Sequence, residues 1–201
     1  GESLGEHGLW YKNNLYDVGI RIPLIIAGAG LPAGKVIHTP ISHVDLIRTL
    51  LEWTGTKTHS SLRGTNLSPL IFENSAQGPP FVYAENHSEG NITGSFMIRK
   101  GDWKYIHFTW YDDLLFNLKD DPGEFRNLVD DPDAAPVLKE LKAILNSQVD
   151  TQIITLQAFE REEQMLKNMA ASMTEEELFD RLKGRLGVGL ARNMASKAKG
   201  R

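Results

Sequence analysis

The chain contains no cysteine. A disulfide framework, a thiolate metal site and a cysteine nucleophile are therefore excluded within these residues, while the redox compartment stays unread. It also lacks an excess of positive charge. A formal net charge of −4 offers no general attraction for nucleic acid or an anionic lipid surface, so neither is expected as a partner. No run approaches the roughly 20 consecutive apolar residues of a transmembrane helix. There is no initiator Met, no signal-like apolar run and no capping residue ahead of Gly1. The chain is expected to be the C-terminal part of a longer protein. Within those limits, 41% apolar and 24% charged residues are ordinary values for a globular segment with a packed core.

The densest chemistry lies at the start, Gly1-Glu-Ser-Leu-Gly-Glu-His-Gly-Leu-Trp-Tyr-Lys12. Glycines rule out a helix there, yet the stretch carries Glu2, Glu6, His7 and Lys12 and runs into apolar Ile20 to Ala27. Ionisable groups on a glycine-permissive loop beside a buried strand make a site in an α/β protein.

The organisation reads in three parts. In residues 1–78, Ile20 to Ala27 is expected as a short buried parallel strand between Gly19 and Gly28, with Pro23 marking an edge or bulge. Ser42 reads as a helix N-cap with Asp45 three residues on. Leu46, Leu50 and Trp53 fall on one face of that helix and Gly55 stops it. Pro79-Pro80 opens a second part, 79–149, with strand-like runs at Phe81 to Glu85, Ser95 to Arg99, Trp103 to Phe108 and Leu114 to Leu118. Lys100-Gly101-Asp102 signals a hairpin and Asp120-Asp121-Pro122-Gly123 a turn. Trp103 to Phe108 is apolar on both faces. A helix from about Ala134 to Val149, striped by Val137, Leu138, Leu141 and Leu145, should cover this sheet. The third part, 150–201, is a helical extension. Thr174-Glu175-Glu176-Glu177 fits a capping box, and Leu178, Leu182 and Leu186 form a stripe ending at Gly187. From Arg181 onward all charge is basic, which suits either a partner-binding arm or a solvated terminus.

The opening stretch, followed by Tyr16-Asp17 and Arg21-Ile22-Pro23-Leu24-Ile25, resembles the second half of a sulfatase of the alkaline phosphatase superfamily. Further matches are Ser42-His43-Val44-Asp45-Leu46, Leu62-Arg63-Gly64-Thr65-Asn66-Leu67 and Arg99-Lys100-Gly101-Asp102-Trp103-Lys104-Tyr105-Ile106-His107. Leu115-Phe116-Asn117-Leu118 and Asp121-Pro122-Gly123-Glu124-Phe125-Arg126-Asn127-Leu128 complete the series. Each piece is weak alone, and their order over roughly residues 1 to 145 is specific. The resemblance implies the C-terminal portion of an alkaline-phosphatase-like α/β sandwich, then a small antiparallel subdomain with a covering helix and a helical tail. It implies hydrolysis of a small-molecule or saccharide sulfate ester by a formylglycine and one divalent metal, Ca²⁺. Nucleophile and metal ligands would lie upstream of residue 1, so the chain alone is expected to be inactive. It also implies a C-terminal extension that can build a homo-oligomer. Phosphonate and phosphodiester hydrolases share this frame, and a non-catalytic relative acting as a binding module is the other alternative.

By resemblance, Lys12 contacts the sulfate, where a point cation stabilises charge developing on cleavage. His7 can bond substrate or carry a proton near neutral pH, or it can satisfy local backbone groups; the spacing leaves both open. Glu85-Asn86-His87-Ser88-Glu89-Gly90 resembles a Glu-x-His-x-Glu-Gly stretch of choline-sulfatase-like enzymes. There Glu85 would pair with a cationic substrate group and His87 would bond the leaving-group side, against the plainer reading of a solvated loop. Trp10 reads as packing, Glu2 and Glu6 as loop-organising or solvated, Asp45 as a cap, and Arg99 and His107 as parts of the sheet. No metal ligand is assigned within the chain.

Overall fold

The computed structural model describes residues 1–57, 59–73, 78–87, 91–186 and 188–199. Its centre is an antiparallel sheet in the order β3 (Val82–Asn86), β4 (Ser95–Lys100), β5 (Trp103–Phe108), β6 (Leu114–Asn117). Gly101-Asp102 closes the β4–β5 hairpin, pairing Lys100 with Trp103, and Gly101 takes the left-handed backbone (φ 58°) that such a turn demands. Alternation then decides the two faces. Tyr83, Phe96, Ile98, Tyr105 and Leu115 turn to one side. There α4 (Ala135–Gln148) lays Leu141 and Leu145 on them. Met97, Ile106 and Phe116 turn to the other, where Leu15, Tyr16 and Ile20 cover them. Both faces are thus buried, as the apolar residues on both sides of Trp103 to Phe108 require.

The N-terminal segment makes that second layer. A two-stranded ladder, β1 (Ser3–Leu4) with β2 (Trp10–Tyr11), encloses a 3-10 turn at Glu6–Gly8, and α1 (Asp17–Ile20) follows. Further on stand α2 (His43–Trp53) and α3 (Ser68–Phe72). Ser42 caps α2 as expected, and Asp45 Oδ2 accepts from Ser42 N at 2.8 Å to complete a capping box. The face α2 buries is polar, however: Asp45 Oδ1 accepts from Thr65 N at 2.7 Å and Thr49 Oγ1 accepts from Leu67 N at 2.8 Å. Leu50 and Trp53, two of the residues read as sharing one helical face, are 43% and 37% exposed.

A second departure is larger. Ile20 to Ala27 is not a strand; Ile20 ends α1, and residues 21–27 run as irregular chain with Ile25 91% exposed. A parallel strand exists only beside other strands, and no other strand of the described residues pairs with this segment.

The last three helices are α5 (Thr151–Ser172), α6 (Glu175–Leu186) and α7 (Val188–Ala198). Asp150 caps α5 by accepting from Gln152 N and Ile153 N, and the Thr174–Glu177 capping box opens α6. Leu178, Phe179, Ala191 and Ala195 make a small separate core against the end of α5. The Leu186 side chain and Gly187 lie outside the described residues. Basic groups here serve the module itself: Arg192 lies 3.6 Å over the Phe179 ring and 2.8 Å from Glu176, Lys183 pairs with Asp180, and Lys199 donates to Ala170 O. No helix of the described residues is long and apolar enough to cross a membrane.

Candidate functional site

The hairpin bearing Lys12 is built from glycines and one aromatic stack. Gly5 and Gly8 take positive φ (121° and 70°), and so do His7 (53°) and Tyr11 (68°), a conformation that side-chain-bearing residues hold only when their surroundings impose it. Glu6 accepts from Leu4 N at 2.6 Å, and that bond holds its carboxyl below the ordinary range. This makes Glu6 a loop organiser, as expected. The His7 ring stacks on Tyr16 at 4.0 Å, nearly parallel at 9°, and on Phe125 at 4.9 Å. The plainer reading of His7 gains a partner the sequence did not suggest, since aromatic rings rather than backbone groups hold it. Trp10, expected to pin the loop to the core, is instead 66% exposed. Lys12 is exposed, and its ammonium has no ion pair or hydrogen bond among the described residues.

Just beyond, Asn14 fastens the hairpin. Its Nδ2 donates to Ser3 Oγ at 3.0 Å and its Oδ1 accepts from Tyr16 N at 3.1 Å. Asp17 then enters a buried charge cluster. Lys104 Nζ, with no exposure, lies 2.8 Å from Asp17 Oδ1 and 2.7 Å from Glu124 Oε1. Arg99 reaches Asp17 Oδ2 at 3.2 Å, and Asp17 N donates to Glu124 Oε2 at 2.6 Å. Glu124 sits in a left-handed turn (φ 59°), which folds its carboxylate back under the sheet. Sequence reading missed Lys104, Asp17 and Glu124 as a unit. A signal existed: a lysine inside a strand apolar on both faces must find a buried partner.

Glu85 and His87 lie elsewhere. Tyr83 and Glu85 share the α4 face with Phe96, opposite the face that Leu15 and Tyr16 cover. Glu85 accepts from the Tyr83 hydroxyl, whose pKa burial and this bond push upward. His87 meets Phe96 edge-on at 5.1 Å, and its Nε2 is 3.8 Å from Glu85 Oε2. Both ring nitrogens are buried without a hydrogen bond among the described residues. Ser88, Glu89 and Gly90 lie outside the described residues. His7, stacked on Tyr16, and the Glu85–His87 pair therefore lie on opposite sides of one sheet, and among the described residues no hydrogen bond or ion pair joins Lys12 to any of them.

A second polar cluster joins that α4 face to α5. Asp113 accepts from Tyr105 OH at 2.8 Å and meets His107 Nδ1 at 2.7 Å and Lys142 Nζ at 2.8 Å. Burial pushes the Asp113 carboxyl up, but the bonds from His107, Lys142 and Tyr105 outweigh it and hold it at about 2. His107 Nε2 faces Thr151 Oγ1 at 3.3 Å, fixing the start of α5. Among the described residues no three His, Asp or Glu side chains stand together as a metal site would need.

A four-stranded antiparallel sheet covered by α4 on one face and by a glycine-framed loop segment on the other is an arrangement this chain shares with solved structures of the sulfatase type. Residues 5–152 match the model of the family described as N-sulphoglucosamine sulphohydrolase, C-terminal, and the chain belongs to that family. It is 34% identical over 135 residues to the choline-sulfatase of Rhizobium meliloti (strain 1021), covering 66% of this chain and 26% of that protein. It is 33% identical over 160 residues to arylsulfatase K of Danio rerio, covering 75% and 30%. A crystal structure of a putative sulfatase from Bacteroides thetaiotaomicron superposes with a TM-score of 0.63 at 30% identity, over 73% of this chain and 33% of that one. The phosphonate monoester hydrolase of Silicibacter pomeroyi gives the same TM-score, 0.63, at 25% identity, over 74% and 32%. The chain thus spans less than a third of the two curated relatives. Helices α6 and α7 fall outside the family match.

Proposed function

We propose that the protein carrying this chain hydrolyses a sulfate ester of a small alcohol or saccharide, and that Lys12 binds the sulfate group. The observation that supports this most is Lys12 itself. Its ammonium is exposed and unpaired among the described residues, while the backbone around it is fixed by His7 on one side and Asp17 on the other. A sulfate ester carries one negative charge, and cleavage builds more on the leaving oxygen. A cation on a fixed backbone, with no carboxylate competing for it, is available to stabilise that charge. The saccharide class takes support from the family description, which names an amino sugar sulfated on nitrogen; that sulfamate presents the same anionic SO3 group as a sulfate ester.

In this reading the nucleophile, a formylglycine, and the ligands of the metal, Ca²⁺, lie outside this chain: it holds no cysteine, and among the described residues no three His, Asp or Glu side chains gather as a metal site. The exposed apolar positions Ile22, Leu24, Ile25 and Ile26 support packing against the remainder of a longer domain. In this reading His7 acts through its ring contacts and not through a substrate bond.

A second reading, phosphonate or phosphodiester hydrolysis, takes support from the superposition on the phosphonate monoester hydrolase. The test is turnover by the full-length protein of 4-nitrophenyl sulfate against a phenylphosphonate monoester, with and without EDTA. Preferred, EDTA-sensitive cleavage of the sulfate is expected. Preference for the phosphonate ester would replace this reading with the second, and no turnover of either would remove both.

A further inference from the structure

Two consecutive residues of one turn hold the Lys12 hairpin at both ends. After β6 the chain turns at Asp121-Pro122-Gly123, and Asp121 Oδ2 accepts from Arg126 N at 2.7 Å to close the turn. Glu124 takes the left-handed backbone and reaches inward to Lys104 and to the backbone N–H of Asp17. Phe125 points the other way and stacks on His7. A Cβ on Gly123 would come within 2.6 Å of the Phe125 ring, so the ring folds back over its own turn. Lys12 stands midway in sequence between the two fixed points, His7 and Asp17.

We propose that the 121–126 turn is the positioning element of the sulfate-binding lysine, with Phe125 and Glu124 as positioning residues; this rests on the assignment of Lys12 above. Glu124 fixes where the hairpin leaves the sheet, and Phe125 fixes the tilt of its tip. The His7–Tyr16 stack and the Asn14–Ser3 bond tie the hairpin to the segment that follows it, and the turn ties that assembly to the sheet at Asp17 and caps the His7 ring, so the Lys12 backbone is held from both sides while its ammonium stays free for an anion. The 121–126 turn touches no substrate; it acts through His7 and Asp17.

The full-length protein tests this with Phe125→Ala, Phe125→Tyr and Lys12→Met, the first also combined with the last. Phe125 is 77% exposed, so its truncation leaves the core intact. Amide hydrogen exchange over residues 4–12 reads the clamp independently of turnover. Phe125→Ala is expected to speed that exchange while β4 and β5 exchange as in the parent. It should also lower kcat/KM on 4-nitrophenyl sulfate by roughly ten- to a hundredfold, the scale on which a misplaced group costs rate. Phe125→Tyr should restore both. In the Lys12→Met background Phe125→Ala should lower kcat/KM no further, because both act through one group. Unchanged exchange at residues 4–12, or a full multiplicative loss on top of Lys12→Met, overturns the proposal. A parent protein inactive on sulfate esters would remove the sulfatase assignment, and the exchange result would still decide the clamp.

Discussion

Replacing Lys104 by Met isolates the buried charge cluster. The Lys104 side chain has no exposure and Glu124 only 2%, whereas Asp17 keeps 15%. At 2.7–2.8 Å, and with an effective dielectric constant near 20, each contact is worth roughly 6 kcal/mol of gross attraction, most of it offset by desolvation of the three ions. Deleting the cation removes the attraction but leaves the carboxylates buried. Glu124 then keeps only the Asp17 N–H, and Asp17 keeps Arg99. The expected cost is about 3–5 kcal/mol, the range for breaking one partner out of a buried pair. In urea, with a slope of about 2 kcal/mol per M, the midpoint should fall by about 2 M at unchanged slope, read by tryptophan fluorescence. Adding Glu124→Gln should recover part of the loss, since the neutral amide no longer needs the cation. A cost below about 1 kcal/mol would mean that the ammonium behaves as a surface charge, refuting the reasoning.

Asp113 gives a pH prediction. Its folded pKa, about 2, lies below the ordinary 3.8, so its stabilisation is complete above the unfolded value and is lost as pH falls through the folded one. Stability should therefore drop between about pH 4 and 2, and Asp113→Asn should flatten that slope; an identical acid slope in the variant would contradict it. Gly94 tests the docking of α5. A Cβ there would collide with Thr155 Oγ1 and lie 2.9 Å from His87 Nδ1, so Gly94→Ala should cost about 1–3 kcal/mol by thermal unfolding, and a neutral result would place α5 elsewhere.

The sheet was legible in the sequence because its information is local. Gly101 marks the turn, alternation marks the strands, and the Leu141–Leu145 stripe marks the covering helix, so each boundary falls within two residues of its expectation. The N-cap at Ser42 and the capping box at Thr174–Glu177 were legible for the same reason. The failures are non-local. Ile20 to Ala27 carries a strand's composition, but its partners are not in the described residues. The face of α2 is set by Thr65 and Leu67, whose amides need Asp45 and Thr49, and not by its own apolar stripe. At the site, the glycine-permissive loop that carries Lys12 was readable from Gly5 and Gly8, which take positive φ. The stack of His7 on Phe125 and the bond from Lys104 to Asp17 span more than 80 residues, a separation no spacing rule covers.

Lys12 as the sulfate-binding cation is the assignment on which the functional reading stands. It is tested by the kcat/KM of full-length wild type and Lys12→Met on one sulfate ester, with thermal midpoints measured alongside. A loss of roughly a hundred- to a thousandfold at unchanged midpoint is predicted, as for removal of one preorganised charge-stabilising group. Activity within about threefold of wild type, under 1 kcal/mol of barrier, would make Lys12 a solvated surface residue and contradict the assignment.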